Sequence, residues 1–156
     1  MTRILMVCTG NICRSPTAEA VLRKRLSDAG LAERVTVDSA GTHSYHVDSP
    51  PSPPAVKAAR KRGYDLSPLR ARKVRPEDYI HFDLILAMDR GHQALLEYDR
   101  PPGSPAKVRL FMDFAPEGPD EVPDPYYGGR RDYEKALDLI ESAMPGLVEA
   151  LQRDLS

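Results

Sequence analysis

Four short apolar runs, at 3–8, 35–39, 82–88 and 107–112, alternate along this chain with four stretches of helical period, at 16–29, 54–62, 90–97 and 131–154. Such alternation narrows the choice of fold, because strands joined by helical crossovers lie parallel and need helices on both faces. The expected class is α/β, and 156 residues fit one domain, 1–156, with a sizeable core. In the last helical stretch Leu137, Ile140, Met144, Leu147, Leu151 and Leu155 recur at spacings of three and four, which assigns them to that core. Pro145 lies in the same stretch, and its ring removes the bond to the carbonyl of Glu141, which predicts a kink or a split.

Open parallel sheets bind ligands beyond the carboxyl ends of their strands, where Cys8, Ser39 and Met88-Asp89 fall. The first of these is the most informative. Val7-Cys8-Thr9-Gly10-Asn11-Ile12-Cys13-Arg14-Ser15-Pro16 runs from the strand-like Ile4–Val7 into a helical pattern that opens at Pro16 and stops at Gly30. Backbone turning that sharply into a helix can converge several N–H groups on one point, where the positive end of the helix also favours an anion. A dianionic phosphate suits that point. The same field favours the thiolate of Cys8, and Ser15 is positioned to donate a hydrogen bond to it. Arg14 is planar and always charged, so it can hold two phosphate oxygens at once.

A phosphoester also needs an acid for its leaving group and a base for the water that follows. Val122-Pro123-Asp124-Pro125-Tyr126-Tyr127-Gly128-Gly129 is the candidate segment, stiffened by its prolines, with Asp124 as the acid beside aromatic rings that partly desolvate it.

Bulk properties remove other classes. A formal net charge of −1 argues against a nucleic-acid binder, and no apolar stretch is long enough for a membrane span. The short apolar opening continues directly into the motif, which reads as part of the fold and not as a secretory leader. Two cysteines, both in the proposed loop, make no disulfide framework, and a usable Cys8 implies the cytoplasm. His43 and His46 lack companions at metal-ligand spacing, so neither a metal nor another cofactor is expected. Asp48–Pro54 is read as a stiff loop, and Arg70, Arg72, Lys73 and Arg75 as a solvated face able to steer acidic phosphopeptides.

Through VCTGNICRSPTAEA at 7–20, DSAGT at 38–42, FDLILAMD at 82–89 and DPYYGG at 124–129, the chain resembles the low-molecular-weight protein tyrosine phosphatases almost end to end. The resemblance implies a three-layer sandwich around a four-stranded parallel sheet of order 2-1-3-4. It implies Cys8 as a nucleophile forming phosphocysteine, Arg14 as phosphate clamp, and Asp124 as the acid that becomes the base. Thr9, Gly10, Asn11, Ile12, Cys13 and Ser15 would complete the phosphate-binding loop, with Asn11 and Ser39 supporting its shape and Ser15 partnering the thiolate. Tyr45, Tyr126 and Tyr127 would wall the substrate, a phosphotyrosine protein or small aryl phosphate, on a monomeric enzyme. Bulky Ile12 resembles tyrosine-directed members more than those acting on phosphoarginine. Leu69 departs from the family, which often has a supporting histidine there.

Two rivals share this fold. An arsenate-reductase-like enzyme needs resolving cysteines further along, and the last cysteine here is Cys13, for which a protective Cys8–Cys13 disulfide is conceivable. A non-catalytic phosphate-binding module would have lost the nucleophile or the acid, and both candidates are present.

Overall fold

The computed structural model describes the backbone of residues 1–155 and the side chains of residues 1–154, so the burial expected of Leu155 lies outside the described side chains. The first apolar run forms β1 (Thr2–Cys8), with β2 (Val35–Gly41) on one side and β3 (Leu84–Ala87) on the other, and β4 (Lys107–Leu110) pairs outside β3. All pairings are parallel and the order is β2-β1-β3-β4, as expected from the resemblance. β1 is interior to the sheet, which explains why Ile4, Leu5, Met6 and Val7 are all fully buried.

Successive side chains of β1 serve opposite layers. Ile4, Met6 and Cys8 join the core formed with α1 (Arg14–Asp28), α2 (Pro53–Lys61) and α5 (Arg130–Leu155). Leu5 and Val7 pack on the other face with Tyr79 of the short helix α3 (Asp78–His81) and Leu96 of α4 (Arg90–Asp99). Each fully buried aliphatic side chain contributes on the order of 1.5–3 kcal/mol, so both layers hold the sheet.

Several boundaries differ from the sequence pattern. α1 begins two residues before Pro16, which sits in the first turn, where backbone N–H groups have no intrahelical acceptor and a proline is tolerated. The run 107–112 stops as strand at Leu110, and Phe111–Phe114 wind into a turn of 3₁₀ helix. α3 escaped the sequence pattern because four residues hold barely one helical period.

α5 is not split at Pro145 but runs continuously through it. A proline inside a helix costs about 3 kcal/mol. Burial of Leu137, Ile140, Met144, Leu147 and Leu151 against the sheet and α1 exceeds that cost. The expected loop Asp48–Pro54 is loop only as far as Ser52, because Pro53 and Pro54 open α2, where proline is tolerated; it is pinned by Asp48 N–H to Ala71 O at 2.8 Å and Ala71 N–H to Ser49 O at 2.9 Å. The basic run is not uniformly a solvated face: the Arg72 guanidinium bonds Asp38 and Asp78 at 3.0–3.3 Å and so ties β2 to α3.

Candidate active site

The segment between β1 and α1 is shaped by where its carbonyls go. Those of Cys8, Thr9 and Ile12 accept from the amides of Thr42 (2.9 Å), His43 (3.1 Å) and Ser52 (2.8 Å), and that of Cys13 accepts from Thr17 Oγ1 (2.7 Å). In a trans peptide the N–H points opposite to the preceding C=O. The amides of Thr9, Gly10, Cys13 and Arg14 therefore turn away from those outer partners, towards the inside of the loop, and make an anion-binding nest at the amino end of α1. Close approach of β2 makes this possible: a Cβ on Gly41 would lie 2.6 Å from Thr9 O.

Asn11 takes the left-handed conformation, φ 58°, which asparagine tolerates better than most residues. Its amide is held at both ends. Nδ2 donates to Ser15 Oγ at 2.8 Å and Ser39 Oγ at 2.9 Å, and Oδ1 accepts from the Arg72 backbone N–H at 3.0 Å. The support network thus closes through a main-chain group of Arg72 whatever occupies position 69, while Leu69 packs against the apolar core. Ser15 Oγ lies 3.0 Å from Cys8 Sγ, and Cys8 is only 3% exposed.

Arg14 is buried to the same degree, and its guanidinium is fixed by one nitrogen: Nη1 donates to Asp89 Oδ2 at 3.0 Å and to Val122 O at 2.9 Å. Nε has no acceptor among the described residues, and Nη2 lies 3.6 Å from Asp124 Oδ2. The Nε–Nη2 edge, the one that grips two oxygens of a tetrahedral anion, is thereby left for a ligand. Burial pushes the Asp89 carboxyl up, but the His92 amide and the Arg14 guanidinium outweigh it and hold Asp89 below the usual carboxylate range. Asp89 also caps α4, accepting from His92 N–H at 2.9 Å.

Asp124 reaches this site from 110 positions after Arg14, on a segment anchored by Val122 N–H to Met88 O at 2.8 Å. Its carboxylate is 46% exposed and accepts the Tyr126 N–H at 3.1 Å, which sets its rotamer. The hollow in front of the loop, about 190 Å³, is lined by Thr9, Gly10, Ile12, Arg14 and Asp124, with Tyr45, Tyr126 and Tyr127 at its mouth. Tyr45 stacks on His43 with ring centroids 5.0 Å apart, and Tyr126 meets Tyr127 edge-on at 4.8 Å. Tyr127, almost fully exposed, borders the mouth without packing into it.

All the residues singled out in the sequence converge here, and several others join them. Asp89 and the carbonyl of Val122 hold Arg14, and His92 Nε2 lies 2.7 Å from Thr9 Oγ1. His92 Nδ1 is 3.1 Å from Asp89 Oδ1, but off the line a hydrogen bond requires, and burial pushes the imidazole down to about 4. Asp89 had one signal in the sequence, a carboxylate at the junction of an apolar run and a helical one, which is where an N-cap sits. His46 also faces the loop: a Cβ on Gly10 would come within 2.8 Å of its ring. Cys13 borders the same hollow, with its Sγ 3.3 Å from Ser52 Oγ and 3.7 Å from Tyr133 OH, and burial pushes its thiol up. No group of residues suited to a metal ion occurs among the described residues.

A parallel sheet whose carboxyl edge brings together a cysteine, a loop of inward amides, a buried arginine and a carboxylate has the arrangement of a phosphoryl-group hydrolase. The family model for low molecular weight phosphotyrosine protein phosphatases matches residues 3–156, and the chain belongs to that family. A low molecular weight protein-tyrosine-phosphatase of Streptomyces coelicolor is 41% identical over 157 residues, covering 98% of this chain and 95% of its own. A protein tyrosine phosphatase of Entamoeba histolytica, crystallised with Hepes in its active site, superposes with a TM-score of 0.95 at 36% identity over the whole of both chains. A Drosophila arginine phosphatase superposes at 0.90 with 27% identity, covering 97% of this chain and 98% of its own.

Proposed function

We propose that this enzyme hydrolyses phosphotyrosine on proteins in two steps, with Cys8 as nucleophile, Arg14 as clamp and Asp124 as the group that handles the proton. In the first step the Cys8 sulfur attacks phosphorus in line, the S–P bond forms as the P–O bond breaks, and Asp124 gives its proton to the departing phenol oxygen. In the second, Asp124 takes a proton from water as that water attacks phosphocysteine, so free phosphate leaves and thiolate returns. Charge on the transferring group is met by the loop amides and by Arg14. The observation that carries this proposal is the buried Arg14 guanidinium, which follows the Cys8 loop in sequence and lies 3.6 Å from the Asp124 carboxylate.

Several features support an aryl substrate over a short alkyl one. Tyr45 and Tyr126 flank the hollow and favour a flat ring, whose length carries its phosphate to the loop where phosphoserine would fall short. Ile12 adds an apolar side chain on the same wall and favours a phenol over the charged guanidino group of phosphoarginine. A monomer is proposed because the exposed tyrosines at the mouth must stay open to a protein substrate. A cytoplasmic site of action fits the need for a reduced Cys8 thiol. A net charge of −1 supports protein over nucleic-acid partners.

The test is covalent trapping. Wild-type enzyme quenched in acid during turnover of ³²P-labelled phosphotyrosine peptide should carry label on the peptide containing Cys8, and Cys8→Ser should carry none and lose at least about 10⁴-fold in turnover. Near-native hydrolysis by Cys8→Ser rules out the covalent scheme.

A further inference from the structure

We propose that Glu19, buried behind the phosphate loop and outside the substrate hollow, is a positioning residue that sets the direction of a hydrogen-bond chain ending on Cys8. This rests on Cys8 being the nucleophile. The chain runs from Glu19 Oε1 to Ser39 Oγ at 2.7 Å, from Ser39 to Asn11 Nδ2 at 2.9 Å, from Asn11 to Ser15 Oγ at 2.8 Å, and from Ser15 to Cys8 Sγ at 3.0 Å.

With Glu19 ionised and Cys8 as the thiolate that the proposed function requires, donor inventory sets every proton along it. An ionised carboxylate only accepts, so the single hydrogen of Ser39 is committed to Glu19, and Ser39 Oγ can then only accept. The partner offering a hydrogen to Ser39 is the Asn11 amide nitrogen, whose second hydrogen goes to Ser15. Ser15 Oγ, already an acceptor, has one hydrogen to place. Its choices are Cys8 Sγ at 3.0 Å and the Ala40 carbonyl at 3.4 Å, and the nearer, charged thiolate wins. The Arg72 amide fixes the oxygen end of Asn11, and Glu19, through Ser39, fixes the nitrogen end.

Glu19 is 2% exposed, and a carboxylate is rarely buried so deeply unless it is paired. Its partner is the Arg23 guanidinium, 2.6 Å from Oε2 and itself more than half exposed, which also donates to Val37 O at 2.7 Å. Burial pushes the Glu19 carboxyl up, and the Ser39 hydroxyl and Arg23 pull against it. The other charges acting on it are Asp38 and Arg72.

Charge and orientation make opposite demands, which gives the test its sign. As a negative charge behind the loop, Glu19 opposes the thiolate, so neutralising it should make Cys8 more reactive. As the orienter of Ser39 it favours the thiolate. In Glu19→Gln the side-chain NH₂ is driven away from the Arg23 donor and towards Ser39, so the Ser39 hydrogen is released from its fixed direction.

The measurement is the rate of iodoacetamide capture at Cys8, read by mass spectrometry across a pH series, which requires no turnover. Glu19→Gln should slow capture by about tenfold at the acid end of the series and leave it within about twofold at the alkaline end, since losing an oriented bond to an anion matters only while the thiol is partly protonated. Ser39→Ala should give the same profile, and the double variant Glu19→Gln/Ser39→Ala no larger an effect. Glu19→Asp keeps the charge but draws it back from Ser39, and it should reproduce the slowing if Glu19→Gln does not fold. Faster or unchanged capture on the acid side overturns the proposal, as does slowing by the same factor at every pH. If the profiles hold while phosphate trapping at Cys8 fails, the chain stands and the catalytic scheme falls.

Discussion

At the scale of single residues, the site divides its work by what each side chain can do only once. Arg14 commits Nη1 to Asp89 and Val122, which leaves its other edge as the one proposed to hold phosphate. Arg14→Lys keeps the charge and loses the fork, so kcat/KM for a phosphotyrosine peptide should fall by about 10²–10³ in steady-state assays. Asp124 makes a sharper case because its benefit depends on the leaving group. Asp124→Asn should lower kcat by about 10²–10³ on a phosphotyrosine peptide but far less on an aryl phosphate whose phenol is already acidic, since that oxygen can depart without a proton. Equal losses on the two substrates would remove Asp124 from the role of acid. Cys8, Asn11, Arg14 and Ser15 were legible in the sequence because they lie within one strand-turn-helix step, whose geometry is local. Glu19, Asp89 and His92 were not, because their meaning arises only when α1 and α4 are laid against the sheet.

At the scale of elements, α5 carries the clearest conflict between propensity and packing. Pro145 and Gly146 are the two poorest helix formers, adjacent and in mid-helix, and a reading by period alone expects the helix to bend or break there. Gly146 is explained by its neighbour: a Cβ at that position would stand 2.1 Å from the carbonyl oxygen of Phe114, in the 3₁₀ turn that follows β4. Gly146→Ala gains about 1 kcal/mol of helix propensity but must push α5 off that turn. The overpacking cost, about 1–3 kcal/mol or more against backbone, wins. A net loss of stability is expected, read as a lower urea midpoint with unchanged slope. Strand ends were blurred in the sequence for a related reason, since apolar residues such as Phe111 and Met112 remain buried after the backbone has left the sheet.

At the scale of the whole molecule, the fold's dependence on pH follows from His92. Burial holds its folded-state value at about 4 against an ordinary 6.5. Between those values the unfolded chain binds a proton that the folded chain refuses, so stability rises with pH across that window. The contribution, on the order of 3 kcal/mol, is fully present above about pH 6.5 and is lost as pH falls to about 4. Urea titrations over a pH series should show this acid limb, and His92→Gln should flatten it. Asp89, held below the usual range, adds a loss of the same sign at lower pH. Both layers were legible in the sequence because β1 and β3 carry nearly unbroken apolar runs, as strands covered on both faces must, whereas the strand order came only from the family resemblance, since apolar runs do not say which strands are neighbours.

Val122 sits where these scales meet, its N–H given to Met88 and its carbonyl to Arg14. That double tether stops two positions short of Asp124. A displacement of the segment that carries Asp124 would therefore be felt at the guanidinium as well, so the two opposite charges share one footing.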